Sequence, residues 1–145
     1  MKQLSLKRNV TIKAVVTPRL KEEMTAQLQG FLSQVDRQLE QLDFQGKRAV
    51  AEVEKASLKP LGPDAKNQIE GIRSQVTEQK NQLLQQKSQF LNQLTQVTSW
   101  EISQEVVQGQ IDSYFDLHEG DNLVQKMSIE VLIEDGIVKE IRGEP

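Results

Sequence analysis

At 145 residues, with a formal net charge of −3, 27% charged residues and 4% aromatic residues, the chain has room for one ordinary domain and little aromatic surface on which to stack bases. It contains no cysteine, which excludes a disulfide framework and a thiolate metal site and suits a reducing cytoplasm. No apolar run is long enough to cross a membrane or form a signal-peptide core, so the sequence predicts a soluble, cytoplasmic chain without a membrane partner.

Residues 1–17 carry Lys2, Lys7, Arg8 and Lys13 and no acidic residue. Here Val10, Ile12, Ala14 and Val16 alternate with Thr11, Lys13 and Val15, the period of a half-buried strand. Thr17 then offers a helix N-cap and Pro18 a first helical residue, with Glu22 and Glu23 close behind.

Residues 18–98 read as two long amphipathic helices joined by one tight turn, an antiparallel coiled-coil hairpin. In the first helix Met24, Leu28, Phe31, Val35, Leu39, Leu42 and Val53, with the small residues Gly46, Ala49 and Ala56, recur at three- and four-residue steps. In the second, Ile69, Val76, Leu83, Phe90 and Val97 recur every seven residues, with Ile72 and Leu94 beside them. Two prolines and a glycine in Lys59-Pro60-Leu61-Gly62-Pro63-Asp64 stop one helix and restart the next, placing the turn within 59–64 and near Leu61. Such a turn pairs positions whose numbers sum to about 122. Leu28 then meets Leu94, Phe31 meets Leu91, Leu39 meets Leu83, Gly46 meets Val76 and Val53 meets Ile69. The same register sets glutamines side by side, 27 by 96, 34 by 89 and 41 by 82. Mid-shaft, Val35 faces Gln86 or Lys87 and Leu42 faces Gln79 or Lys80, so either lysine stems cover the seam or this face, with Leu32, Leu84 and Leu91 at its margin, packs on another chain. Gly46 on the seam allows close helix approach, whereas Gly30 and Gly71 only soften the shaft.

Residues 99–145 read as a small β-body. Trp100, Ile102, Val106 and Val107 lead to Gly109 and a strand over 110–117; Glu119-Gly120-Asp121-Asn122 is a turn; strands over 128–134 and 137–142 flank Asp135-Gly136, a type I′ hairpin signal. This segment carries three basic against eleven acidic residues, so charge favours the basic first strand joining it. The expected fold class is α+β: a long antiparallel coiled-coil helical hairpin projecting from a small antiparallel β-body made by the N-terminal strand and the C-terminal strands.

With the strand, the hairpin and the ending Gly120-Asp121-Asn122-Leu123 followed by Ile133-Glu134-Asp135-Gly136-Ile137-Val138-Lys139-Glu140-Ile141-Arg142, the chain resembles the YlqD-like family of bacterial proteins over nearly its whole length. The resemblance implies the architecture and adds no catalytic residue.

Candidate chemistry is sparse. The one histidine, in Asp116-Leu117-His118-Glu119-Gly120-Asp121-Asn122, stands among metal-type ligands, but strand alternation disperses their side chains and the loop lacks EF-hand spacing, so a polar turn is the expectation and no metal site is assigned. Glu134 and Asp135 are solvated turn residues with nothing apolar to shift a pKa. Trp100 plugs the junction of helix and sheet. No catalytic residue and no cofactor is expected, and the basic residues of the hairpin, interspersed with acids, form no nucleic-acid track. The sequence thus points to a non-enzymatic protein-interaction or scaffold module that binds a protein partner or self-associates, with Leu61 and Asp64 at the tip and Leu32, Leu84 and Leu91 on the shaft as candidate contacts. A chaperone-like clamp, and a factor that probes a large enzyme or ribosomal assembly with its hairpin tip, are the alternatives.

Overall fold

The computed structural model describes residues 2–57 and 60–143; Lys59, expected in the turn, lies outside them. Strand β1 (Gln3–Val15) leads into helix α1 (Pro18–Ala56), helix α2 (Pro63–Ser99), strand β2 (Glu105–His118), the one-turn helix α3 (Leu123–Met127), strand β3 (Ile129–Glu134) and strand β4 (Ile137–Arg142). Two compact units result, one formed by the chain up to Glu23 and from Ser99 onward, the other spanning Met24–Thr98.

The first unit is a four-stranded sheet in the order β2-β1-β3-β4. The body is mainly antiparallel, as expected, with one parallel pairing that the sequence did not announce: β1 runs antiparallel to β2 but parallel to β3. Topology requires it. Successive C-terminal strands alternate in direction, and β1, inserted between β2 and β3, must then run parallel to one of them. The acidic body does take in the basic strand, with Lys7 Nζ 3.0 Å from Asp112 and Lys13 Nζ 3.1 Å from Glu130. β2 begins earlier than expected because Gly109 ends no element: Ile12 pairs with Gly109 and Lys13 with Val107, leaving Gln108 as a bulge.

Register sorts the two faces. On one, Val10 lies between Ile111 and Ile129, Ile12 beside Val131 and Ile141, and Ala14 beside Ile133 and Val138. On the other stand Asp112, Asp116, Glu130 and Glu140 with Lys7, Lys13 and Arg142, where Arg142 holds Glu105 by two hydrogen bonds and meets Glu140 at 3.2 Å. Alternation puts Arg8 on the apolar face, where it is buried with its guanidinium 4.8 Å over the Phe115 ring and Nη1 donating to the Lys126 carbonyl in α3. That bond locates α3 over the same face. α3, absent from the sequence reading, is nucleated by Asn122, whose side chain accepts from the Gln125 N–H.

Local capping follows the sequence. Thr17 Oγ1 accepts from the Leu20 N–H at 3.1 Å and donates to Asp135 Oδ1 at 2.7 Å. Asp135 and Gly136 have φ of 49° and 85°, both positive as a type I′ turn requires. Trp100 is half-buried and its carbonyl accepts from Lys21 Nζ at 2.8 Å.

The second unit is the helical hairpin. Phe31 packs on Phe90 with ring centroids 5.2 Å apart, one position off the expected Leu91 partner. Asp36 accepts from Lys87 Nζ at 2.8 Å, and a Cβ on Gly46 would stand 2.8 Å from Val76 Cγ2. These contacts sum to 121, 123 and 122, so the helices run antiparallel in the anticipated register. Leu28, Val35, Ala65, Ile69 and Val97 are buried along the seam.

Candidate interaction site

The heptad spacing that builds the seam also sorts its two flanks. On one, Gln38, Gln41 and Gln45 face Gln79, Gln82 and Gln86 across a cleft floored by Leu42 and Leu83. The expected juxtaposition of 41 with 82 is therefore present, and neutral amides replace the flanking charges of many helix pairs. The other flank holds the Asp36–Lys87 bond. Seven residues further along each helix, Asp43 and Lys80 line one open cleft together with Gly46, Val50, Ile72 and Val76.

Helical spacing sets Leu32, Leu84 and Leu91 along this second flank. Leu84 and Leu91 lie three residues before and four after Lys87, and Leu32 four before Asp36, so each is the helical neighbour of a member of the ion pair. Leu84 and Leu91 are 43% and 45% exposed, while Leu32 is half-buried. Val35, expected to leave the seam underfilled, is buried within the single chain, and the half-buried Lys87 beside it accounts for the cover: its stem lies over the seam while the ammonium reaches Asp36. The exposed apolar surface of this flank is thus narrower than the sequence suggests, centred on Leu84 and Leu91, while Phe44 of α1, 66% exposed, is not one of the three leucines.

The tip residues stand apart from these three. Some 24 residues of α1 separate Leu32 from the helix end at Ala56, roughly 36 Å at 1.5 Å per residue. Asp64 is exposed in the first turn of α2, but Leu61, expected to be exposed, is half-buried and lines a cleft with Ile69, Lys66 and Glu54. An apolar side chain next to the start of α2 folds back on the helix rather than standing in water. At the acidic turn, the His118 N–H donates to Asp121 Oδ2 at 2.8 Å, while the His118 ring lies 3.2 Å from Gln3 and 3.6 Å from Asp121. Among the described residues no three histidine, aspartate or glutamate side chains converge as metal ligands would, and no helix is long and apolar enough to cross a membrane.

Arg8 is one of the four basic residues of the N-terminal segment, among which the sequence reading draws no distinction. Its position, even-numbered in register with Val10 and Ile12, was the available signal that it points into the apolar face.

A four-stranded mixed sheet whose first and second strands are joined in sequence by a long helical hairpin defines an α+β protein with an inserted helical hairpin. The chain belongs to the YlqD family, whose family model, described as YlqD protein, matches residues 4–142. Its fold is also that of a crystal structure of a protein of unknown function from Synechococcus sp. WH 8102, at 37% sequence identity and a TM-score of 0.84, covering 97% of this chain and 95% of that one. A comparison with curated proteins found no match.

Proposed function

We infer that the protein is a non-enzymatic interaction module whose hairpin, a coiled-coil arm, binds another protein along the flank formed by Leu32, Leu84 and Leu91. The observation that supports it is the pair Leu84 and Leu91, each more than two-fifths exposed on a helix that has its partner helix already in place. Apolar residues left outside a satisfied seam are what a docking helix uses, anchored at seven-residue spacing. The Asp36–Lys87 bond between them fixes orientation more than it adds affinity. Cytoplasmic action belongs to the same reading and rests on the sequence alone.

The test compares native pull-downs from the source cells by wild type, by the double variant Leu84→Ser/Leu91→Ser and by Leu61→Ser. The expected result is a stoichiometric protein held by wild type and by the tip variant and lost from the double variant. Loss with Leu61→Ser alone would move the contact to the tip and support the probing factor instead. Recovery unchanged in all three would refute the flank.

A further inference from the structure

Seven-residue spacing sorts charge as well as leucines on the second flank of the hairpin. On α2 it repeats a cation four times, at Lys66, Arg73, Lys80 and Lys87. On α1 the same spacing brings Asp36 and Asp43 to this flank, and Glu54 nearer the tip lines a cleft with Arg73. One wall of the flank is therefore basic and the other acidic, interrupted by Glu70 on the first and Lys47 on the second. Within the chain the two walls make little use of each other. Lys87 reaches Asp36, but one heptad nearer the tip Lys80 and Asp43 stand at an open cleft of about 430 Å³. Among the described residues no ion pair joins those two, and none engages Lys66 or Arg73. The exposed Leu84 and Leu91 run along the basic wall, and Leu39, Ile72, Val76 and Leu83 of the seam are only half-buried. Two helices leave such a seam open, and a second pair encloses it.

We propose that a second copy of this chain occupies this flank, the two hairpins packing as a four-helix bundle with their tips at the same end. This names the partner of the flank already assigned to docking, and rests on that assignment. Charge selects both the occupant and its direction. When two hairpins face one another through this flank about a two-fold axis parallel to their length, the basic wall of each lies on the acidic wall of the other at the same level. Lys80 then meets the Asp43 of the second copy and Lys87 its Asp36. Leu91 meets the Leu32 of the second copy, because each lies one helical turn to the same side of the Asp36–Lys87 contact. A two-fold axis running across the hairpins would instead set basic wall on basic wall and acidic wall on acidic wall, where like charges repel. A different partner would need an acidic and a basic row of its own at the same spacing, and this chain already carries both. The opposite flank specifies no occupant in this way, since its facing glutamines are neutral.

The measurement is the mass of the full chain by sedimentation equilibrium, for wild type, for Lys80→Glu/Lys87→Glu, for Asp36→Lys/Asp43→Lys and for an equimolar mixture of the two variants. A wild-type particle of twice 16.5 kDa is expected. Each charge-reversed chain alone should dissociate at least about 10-fold more readily at unchanged circular dichroism, and the mixture should regain a 1:1 dimer. Repulsion inside each hairpin persists in the mixture, so recovery reports the contact between chains. Since the chain has no cysteine of its own, Leu32→Cys chains mixed with Leu91→Cys chains should give the mixed disulfide in preference to either symmetric one, a readout independent of the charge variants. A wild type that stays monomeric at about 100 μM overturns the proposal, and leaves the docking flank standing where pull-down still recovers a different protein through Leu84 and Leu91. A dimer retained by both charge-reversed chains, a mixture that stays dissociated, or symmetric disulfides favoured over the mixed one overturns it equally.

Discussion

Gly46 gives the sharpest test of how closely the two long helices approach. Replacing a mid-helix glycine by alanine ordinarily stabilises by about 1 kcal/mol, because glycine loses more backbone freedom on folding. Gly30 and Gly71 have open space where a Cβ would stand, so Gly30→Ala and Gly71→Ala should each realise most of that gain. At Gly46 the new methyl would lie 2.8 Å from Val76 Cγ2 and 3.6 Å from Cγ1. Valine is short and stiff at χ1, so relief requires the helices to part, and overpacking of this kind costs about 1–3 kcal/mol. The net for Gly46→Ala is therefore a loss of about 0–2 kcal/mol, placing it about 1–3 kcal/mol below its two siblings after the common propensity gain cancels. Urea unfolding followed by far-ultraviolet circular dichroism reads the difference. In a Val76→Ala background the clash disappears and Gly46→Ala should become stabilising, a coupling that only neighbours in contact show. Were Gly46→Ala to stabilise the wild type as much as Gly30→Ala does, the close approach at the seam would be refuted.

Three further outcomes follow from the sheet unit. Arg8→Ala removes a buried guanidinium with its bond to the Lys126 carbonyl and its seat over Phe115, and should cost about 2–4 kcal/mol in urea titration; Arg8→Lys should recover less than half, lacking the planar fork. Gly136→Ala forces a left-handed φ on a residue with a Cβ and should cost about 1–2 kcal/mol, whereas a loss below a few tenths would contradict the type I′ assignment. The hydrogen bond from Arg142 holds the Glu105 carboxyl below its ordinary value. A depressed carboxylate contributes stability above its unfolded pKa that disappears as pH falls through the folded one, so thermal stability should drop on acidification below the usual glutamate range, and Glu105→Gln should flatten that slope. A slope identical in wild type and Glu105→Gln would show that the pair does not contribute. Its surface position keeps the effect small and sensitive to salt.

The parts of the fold that were legible in the sequence are those set by short-range chemistry or strict period. Seven-residue spacing of Ile69, Val76, Leu83, Phe90 and Val97 gave the second helix, and the proline-flanked turn then fixed the register that Phe31, Asp36 and Gly46 display. Thr17 and Asp135-Gly136 announced a cap and a turn through residues that only a few backbone conformations favour. What escaped depended on long-range placement. Nothing local distinguishes a strand that will sit between β2 and β3 from one at an edge, so the parallel pairing was invisible. Gly109 was taken as a boundary because a glycine next to a bulge, here at Gln108, looks the same in sequence as one that ends an element. α3 is too short for periodicity, so the carbonyl that receives Arg8 on the inward face could not be foreseen, although the alternation with Val10 and Ile12 was there to be read. Of the candidate contacts, the three shaft leucines share one flank because helical spacing determines faces. Leu61 turned inward, since its exposure depended on a loop geometry that spacing does not fix.

The reading of the hairpin as a docking arm is tested most directly by photo-crosslinking in the source cells, with a photoreactive residue placed in turn at Leu84, at Leu91, at Gln41 on the opposite flank and at Leu61 near the tip. The account predicts one partner band from positions 84 and 91, absent from 41 and 61. Equal labelling from all four positions, or labelling from 61 alone, would contradict it.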